Sequence, residues 1–197
     1  LNEDEEIGKD VAKNDIFAQN KLPFKMIITK PSKSDYAEFY AGYISQVAEG
    51  DIVSTLKEQQ VQTKMLLDTI SEGKAEYAYA PEKWTIKEMI EHVIDTERIF
   101  AYRFLRVYRS DATPLPSFDQ DSFVKNGNAG RRTLQSLAEE LYALRGANLF
   151  LFRDLDSDKL DFRGMMSGKS ITSRALLYII AGHEAHHIKM LKERYLI

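Results

Sequence analysis

Apolar residues recur at intervals of three and four along most of this chain. Tyr36, Phe39, Tyr40, Tyr43, Ile44 and Val47 form the first such stripe, the signature of an amphipathic helix. Ser34 or Asp35 can cap it, and Gly50 stops it. Asp51 caps a second predicted helix over residues 51–71, with Ile52, Leu56, Thr63, Leu66, Leu67 and Ile70 in phase. Gln59 and Gln60 stand where Leu would be expected, which suits either a partly exposed turn or a polar patch lining a cavity. Thr85 and Glu88 make a Thr-x-x-Glu capping box. The long helix behind it, over residues 86–109, carries Ile86, Met89, Ile90, Val93, Ile94, Phe100, Phe104 and Tyr108 on one face. Thr133 caps a helix reaching about residue 155, and Thr172 caps the last, which ends near Tyr195. No segment offers convincing strand pairs. The pattern predicts an all-α fold, an antiparallel four-helix bundle with an extra short N-terminal helix.

The connections complete that outline. Residues 1–33 show no sustained period and are broken by Pro23 and Pro31, so they read as a peripheral N-terminal arm beside a bundle domain over residues 34–197. Leu22, Phe24, Met26 and Ile28 alternate, which would suit a short extended piece. Residues 111–132 are long for a loop in a compact domain; a lid, a binding segment or a short helix over residues 119–125 would each account for them. Residues 156–170 read as a second polar loop.

Composition narrows the function classes. The net charge of −3, with no basic cluster beyond pairs such as Arg131-Arg132, argues against a nucleic-acid binder. The absence of cysteine removes thiolate nucleophiles, disulfides and cysteine-based zinc sites. No apolar run approaches the ~18 residues of a membrane span, and the acidic start (Glu3, Asp4, Glu5, Glu6) lacks a signal-peptide pattern. The expected setting is the cytoplasm, although a chain that begins at Leu1 leaves a removed leader open.

The chemistry concentrates in histidine. Of four histidines, three lie in Gly182-His183-Glu184-Ala185-His186-His187 and the fourth is His92. At about 100° per residue, His183 and His187 fall inside the apolar stripe of Leu176, Ile180, Met190 and Leu191. Two imidazoles one turn apart and facing a core need partners, and a divalent metal ion supplies one to both. The run also matches the H-E-x-x-H pattern of zinc proteases. Met190 and Glu193, however, stand where the extended motif needs Gly and His, and an all-helical chain has no edge strand to hold a peptide. A third ligand must therefore come from upstream, where His92, at the edge of its helix stripe, is the available imidazole. Three neutral imidazoles with an open position suit Zn²⁺, Ni²⁺, Co²⁺ or Fe²⁺. The competing reading is a set of core histidines bonded to carboxylates such as Glu97 or Glu184. Glu97 lies in the centre of an apolar stripe and needs a partner in any case. Glu97, Glu184 and the rim residue His186 are the candidates to support the ligands from behind.

Four segments belong together: Tyr79-Ala80-Pro81-Glu82-Lys83-Trp84-Thr85-Ile86-Lys87-Glu88, Glu91-His92-Val93-Ile94-Asp95-Thr96-Glu97-Arg98, Thr113-Pro114-Leu115-Pro116 and Ile180-Ala181-Gly182 followed by the histidine run. In that order they resemble the DinB-like superfamily, and most nearly its bacterial DinB-2 branch. The likeness extends from about Tyr36 to Ile197. It implies a four-helix bundle, often a homodimer, with a divalent metal on His92, His183 and His187. Related branches include thiol-dependent S-transferases and isomerases. The resemblance thus implies a metal-dependent enzyme of the thiol S-transferase or hydrolase type, acting on a small molecule, with a low-molecular-weight thiol as a cosubstrate. Gly164-Met165-Met166-Ser167-Gly168 departs from the Ala-Asn-containing loop of close relatives. The alternative is a non-catalytic metal-binding bundle that serves as a structural or partner-binding module.

Overall fold

A computed structural model describes residues 27–197; the arm up to residue 26, with most of its alternating segment, lies outside the described residues. In chain order the helices are α1 (Ala41–Ser45), α2 (Ile52–Asp68), α3 (Glu72–Ala75), α4 (Ile86–Tyr108), α5 (Gln120–Lys125), α6 (Leu134–Phe152) and α7 (Ser157–Leu160). A hairpin of β1 (Arg163–Met166) and β2 (Lys169–Thr172) follows, then α8 (Ser173–Met190), which ends in a π-helical turn, Leu191–Tyr195. The expected caps are in place. The side chains of Asp51, Thr85, Thr133 and Thr172 accept from Val53, Glu88, Ser136 and Ala175 N–H groups. Each satisfies a donor that the first helical turn would otherwise leave open.

Two expectations give way. The single helix predicted over residues 36–47 is instead two 3-10 turns, Lys33–Asp35 and Glu38–Tyr40, leading into the short α1. Apolar spacing of i, i+3 is also what successive 3-10 turns present, and Phe39, counted in the stripe, is 76% exposed. The polar loop over residues 156–170 holds α7 and the start of the hairpin, whose register pairs Arg163 with Thr172. Ser167 and Gly168 both adopt positive φ at the tip, 52° and 75°, the backbone a tight hairpin turn requires.

The bundle helices α2, α4, α6 and α8 pack around the axis in the order α2–α6–α4–α8. Gln60 bonds Tyr142 and Arg145 bonds Leu56, so α2 and α6 are antiparallel. Gln59 reaches Ala181 and Thr63 reaches Glu184, so α2 and α8 are parallel. Arg98 meets Glu140 and Phe104 meets Phe152, so α4 and α6 are also parallel. Parallel neighbours need a connection that returns the length of the bundle, which is why residues 109–133 form so long a crossover. Arg103 donates to the Pro116 carbonyl and Glu91 accepts from the Asn128 and Ala129 N–H groups, so the crossover runs back along α4. Leu115 N–H donates to Met165 O, and Ser167 N–H to Leu115 O, which ties the crossover to the hairpin.

The apolar core falls into two clusters. One gathers Leu56, Phe100, Phe104, Phe152 and residues 175–181, and the other gathers Leu67, Ile86, Ile90, Leu137 and Leu191. Between them runs a layer of buried polar side chains: Thr63 of α2, His92 and Glu97 of α4, Arg145 and Asn148 of α6, and His183, Glu184 and His187 of α8.

Candidate metal centre

His92, His183 and His187 are 4–6% exposed and meet in the seam between α4 and α8. His92 Nε2 lies 3.1 Å from His183 Nε2, and His187 Nε2 lies 3.2 Å from it. One nitrogen from each ring falls within a sphere where all lie within 4.8 Å of one another. The i, i+4 spacing stacks His183 and His187 on one face of α8, and the antiparallel α4 brings His92 opposite them.

Burial holds all three imidazoles neutral. It lowers the pKa of His92 to about 4 and that of His187 to about 3. His183 is pushed well below the ordinary imidazole value, by burial first and then by His187 and His92. Neutral imidazole is the ligand form. The three rings do not satisfy one another. An imidazole nitrogen has either one N–H or one in-plane lone pair, so His183 Nε2 cannot make good hydrogen bonds to both neighbours at once. Two nitrogens each about 2.1 Å from one zinc-like ion would lie roughly 3 to 3.4 Å apart, and the observed separations fit that spacing. His187 Nδ1 is buried without a hydrogen-bond partner among the described residues, and His92 Nδ1 has only Thr96 Oγ1 at 3.5 Å. The donor set therefore fits a divalent cation better than it fits a hydrogen-bonded core.

The carboxylates expected behind the ligands are committed elsewhere. Arg145 Nε and Nη2 donate to the two oxygens of Glu97 at 2.7 and 2.8 Å, and Nη2 also donates to Glu184 Oε2 at 2.5 Å. Thr63 donates to the other Glu184 oxygen at 2.5 Å, and Asn148 donates to Glu97. Neither carboxylate bonds a histidine ring, because the guanidinium on α6 lies within reach and offers paired donors. Burial alone would lower the Arg145 pKa, but Glu184 and Glu97 outweigh it and the net shift is upward. His186 is half-buried at the rim, with Gln46 3.4 Å from its Nδ1, and does not join the cluster.

The histidines open onto a cleft of ≈ 420 Å³ walled by Tyr40, Tyr43, Phe100 and Phe118, with His92 and His183 at its floor. Gly182 makes room for one wall: a Cβ there would lie 2.2 Å from the Tyr43 carbonyl oxygen. That close approach sets the Tyr43 ring 5.4 Å from His183. Trp84 sits against His92 with ring centroids 4.8 Å apart. Burial raises the pKa of both Tyr40 and Tyr43, so their hydroxyls stay protonated. A separate cleft of ≈ 480 Å³ between α2 and α8 is lined by Gln59 and Glu184, so the cavity reading holds for Gln59. Gln60 instead donates to the Tyr142 carbonyl at 2.7 Å.

The sequence reading singles out neither Arg145 nor Arg103. Both carried a usable signal: Arg145 is four residues beyond Leu141 in the α6 stripe, and Arg103 is three beyond Phe100 in the α4 stripe. A long cationic residue in an apolar phase must have buried partners or an anion to meet.

Three comparisons bear on this arrangement. A family model described as the DinB superfamily matches residues 55–191. No curated protein matches the chain in sequence. Among solved structures, YfiT from Bacillus subtilis, described as a probable metal-dependent hydrolase with an unusual four-helix bundle topology, superposes with a TM-score of 0.66 at 18% identity. The match covers 83% of this chain and 90% of that one. A DinB-like protein, YjoA, from the same organism superposes with a TM-score of 0.52 at 21% identity, over 74% of this chain and 90% of that one. At these identities the likeness is one of fold.

Proposed function

The chain belongs to the DinB superfamily, and on that premise we propose that it is a metal-dependent enzyme acting on a small molecule, its divalent ion held by His92, His183 and His187. The observation that carries the reading is the convergence of three neutral Nε2 atoms, 3.1 and 3.2 Å apart in two of the pairs, at the floor of an aromatic-walled cleft. A divalent ion there would supply Lewis-acid chemistry to a bound substrate. Zn²⁺, Ni²⁺, Co²⁺ and Fe²⁺ all accept such ligands. The working unit is residues 34–197.

The reaction we favour is thiol transfer, with a low-molecular-weight thiol as cosubstrate. Among the described residues no Asp or Glu lines the cleft, so no carboxylate is placed there as a general base, and a low-pKa thiol has the least need of one. Tyr40 and Tyr43 are the groups that can hold a proton near a reacting atom. Hydrolysis, with which the YfiT structure is described, is the second reading.

Metal analysis of purified protein beside a His183→Ala/His187→Ala variant tests the site. We expect about one divalent ion per chain in the parent and none in the variant; equal metal in both would remove the centre. Turnover of electrophiles with a panel of thiols, beside a panel of esters and amides, separates the two reactions. Full metal occupancy without turnover in either panel would favour the non-catalytic bundle. A homodimer, implied by the resemblance, is tested by light scattering.

A further inference from the structure

Arg103 is the one strongly buried cation of the cleft, and it has no carboxylate partner among the described residues. It is 4% exposed, yet among the described residues its side chain makes a single hydrogen bond, a donation from Nη2 to the Pro116 carbonyl at 2.6 Å. Its guanidinium carbon lies 5.5 Å from the Phe100 ring centroid and 5.6 Å from that of Phe118, so the planar group rests against two aromatic rings. Arg145, equally buried, is bonded by two carboxylates. The contrast is physical: a guanidinium taken out of water without an anion is costly, and a ligand's anion can offset that cost.

The lining of the cleft points the same way. Arg103 and, at the rim, exposed Lys169 are its charged side chains, and it contains no Asp or Glu among the described residues. Tyr40 and Tyr43 add hydroxyls that burial keeps protonated. The remaining walls are largely aromatic, with Met166 on the hairpin side. A guanidinium fork recognises a planar carboxylate well, and a cleft of ≈ 420 Å³ suits a small ligand with an apolar body.

We propose that Arg103 is the anion-binding residue of this cleft, and that the ligand it takes is a small carboxylic acid with an apolar or aromatic body. The carboxylate lies on Arg103, the body lies against the aromatic walls of Tyr40 and Tyr43, and the far end of the ligand faces His92 and His183. This rests on the reading that the cleft is the active site, but it assigns the charge recognition to arginine and not to the metal. The carboxylate can belong to the substrate or to a thiol cosubstrate.

The test compares 3-phenylpropionate with 3-phenylpropionamide, which share a shape and differ in charge. Binding is read from the fluorescence of Trp84, the single tryptophan, beside His92, and from calorimetry. The acid is expected to bind at least about tenfold more tightly than the amide, the scale of one charge-assisted contact. The Arg103→Gln variant should lose that preference, and Arg103→Lys, which keeps the charge and tolerates folding better, should keep part of it. The His183→Ala/His187→Ala variant should keep the preference, because the metal does not supply it. Equal binding of acid and amide by the parent protein overturns the proposal, as does a preference that survives in Arg103→Gln. A preference lost only in the double histidine variant overturns it too, by moving the recognition to the metal; loss of metal from the parent protein would instead count against the metal centre alone. Competition by the tripeptide thiol glutathione against 3-phenylpropionate, set beside competition by its S-methyl form and by a thiol without a carboxylate, shows which of the two reactants brings the acid.

Discussion

The polar layer of this bundle holds two groups that are equally hidden from water and opposite in how they are satisfied. Around Arg145, charges and hydrogen bonds close on themselves: Glu97, Glu184, Thr63, Asn148 and the Leu56 carbonyl all have partners in the group. Around His183, three rings crowd one another with nitrogen contacts that cannot all be hydrogen bonds, and His187 Nδ1 has no partner among the described residues. Burial of polar side chains is common to both and distinguishes nothing. The closed group ties α2, α4, α6 and α8 together. The open group has lone pairs left for something that is not protein.

The sharpest way to separate the two groups is acid. In metal-free protein the pKa values of His92 and His187 are about 4 and about 3, below the ~6.5 of an unfolded imidazole. The unfolded chain therefore binds more protons between those values. Stability is complete above pH 6.5 and falls on acidification, at up to about 1.4 kcal/mol per pH unit for each imidazole. Urea unfolding from pH 7 to pH 4 should show this slope. The His183→Ala/His187→Ala variant should make it shallower, leaving the share of His92, and an unchanged slope would show that His183 and His187 are not among the titrating groups. Next in size is Arg145→Met, which leaves Glu97 and Glu184 buried and unpaired. It should cost about 3–5 kcal/mol in urea unfolding, while the folded fraction keeps its metal. A cost below about 1 kcal/mol would remove the Arg145 group from its structural role. The smallest effect is expected from His186→Ala: metal content unchanged and stability altered by less than about 0.5 kcal/mol. A clear loss of metal there would bring His186 into the centre.

Much of the fold was legible because helix signals are local. Thr85 with Glu88, Thr133 and Thr172 act within one turn, and their side-chain bonds are those the sequence implies. The hairpin is hard to read in the sequence because its two strands are only four residues each, too short to establish a period. Ser167-Gly168 was its one turn signal. The stripe over residues 36–47 predicts one helix where the chain forms 3-10 turns and the short α1, because i, i+3 spacing is shared by α and 3-10 turns.

The sequence by itself determined that His183 and His187 share a helix face, since that follows from 3.6 residues per turn and nothing beyond the helix. It also marked Glu97 as a carboxylate in need of a partner. Only the tertiary structure decided which partner. Glu97 and Glu184 turn to Arg145, and His92, 91 residues from His183, comes within 3.1 Å of it. Those outcomes depend on the order of the helices and on the direction of each. α4 faces α8 antiparallel across the seam while the crossover carries Phe118 back over the cleft beside Arg103. Periodicity reports which side of a helix is buried; only packing reports what that side meets.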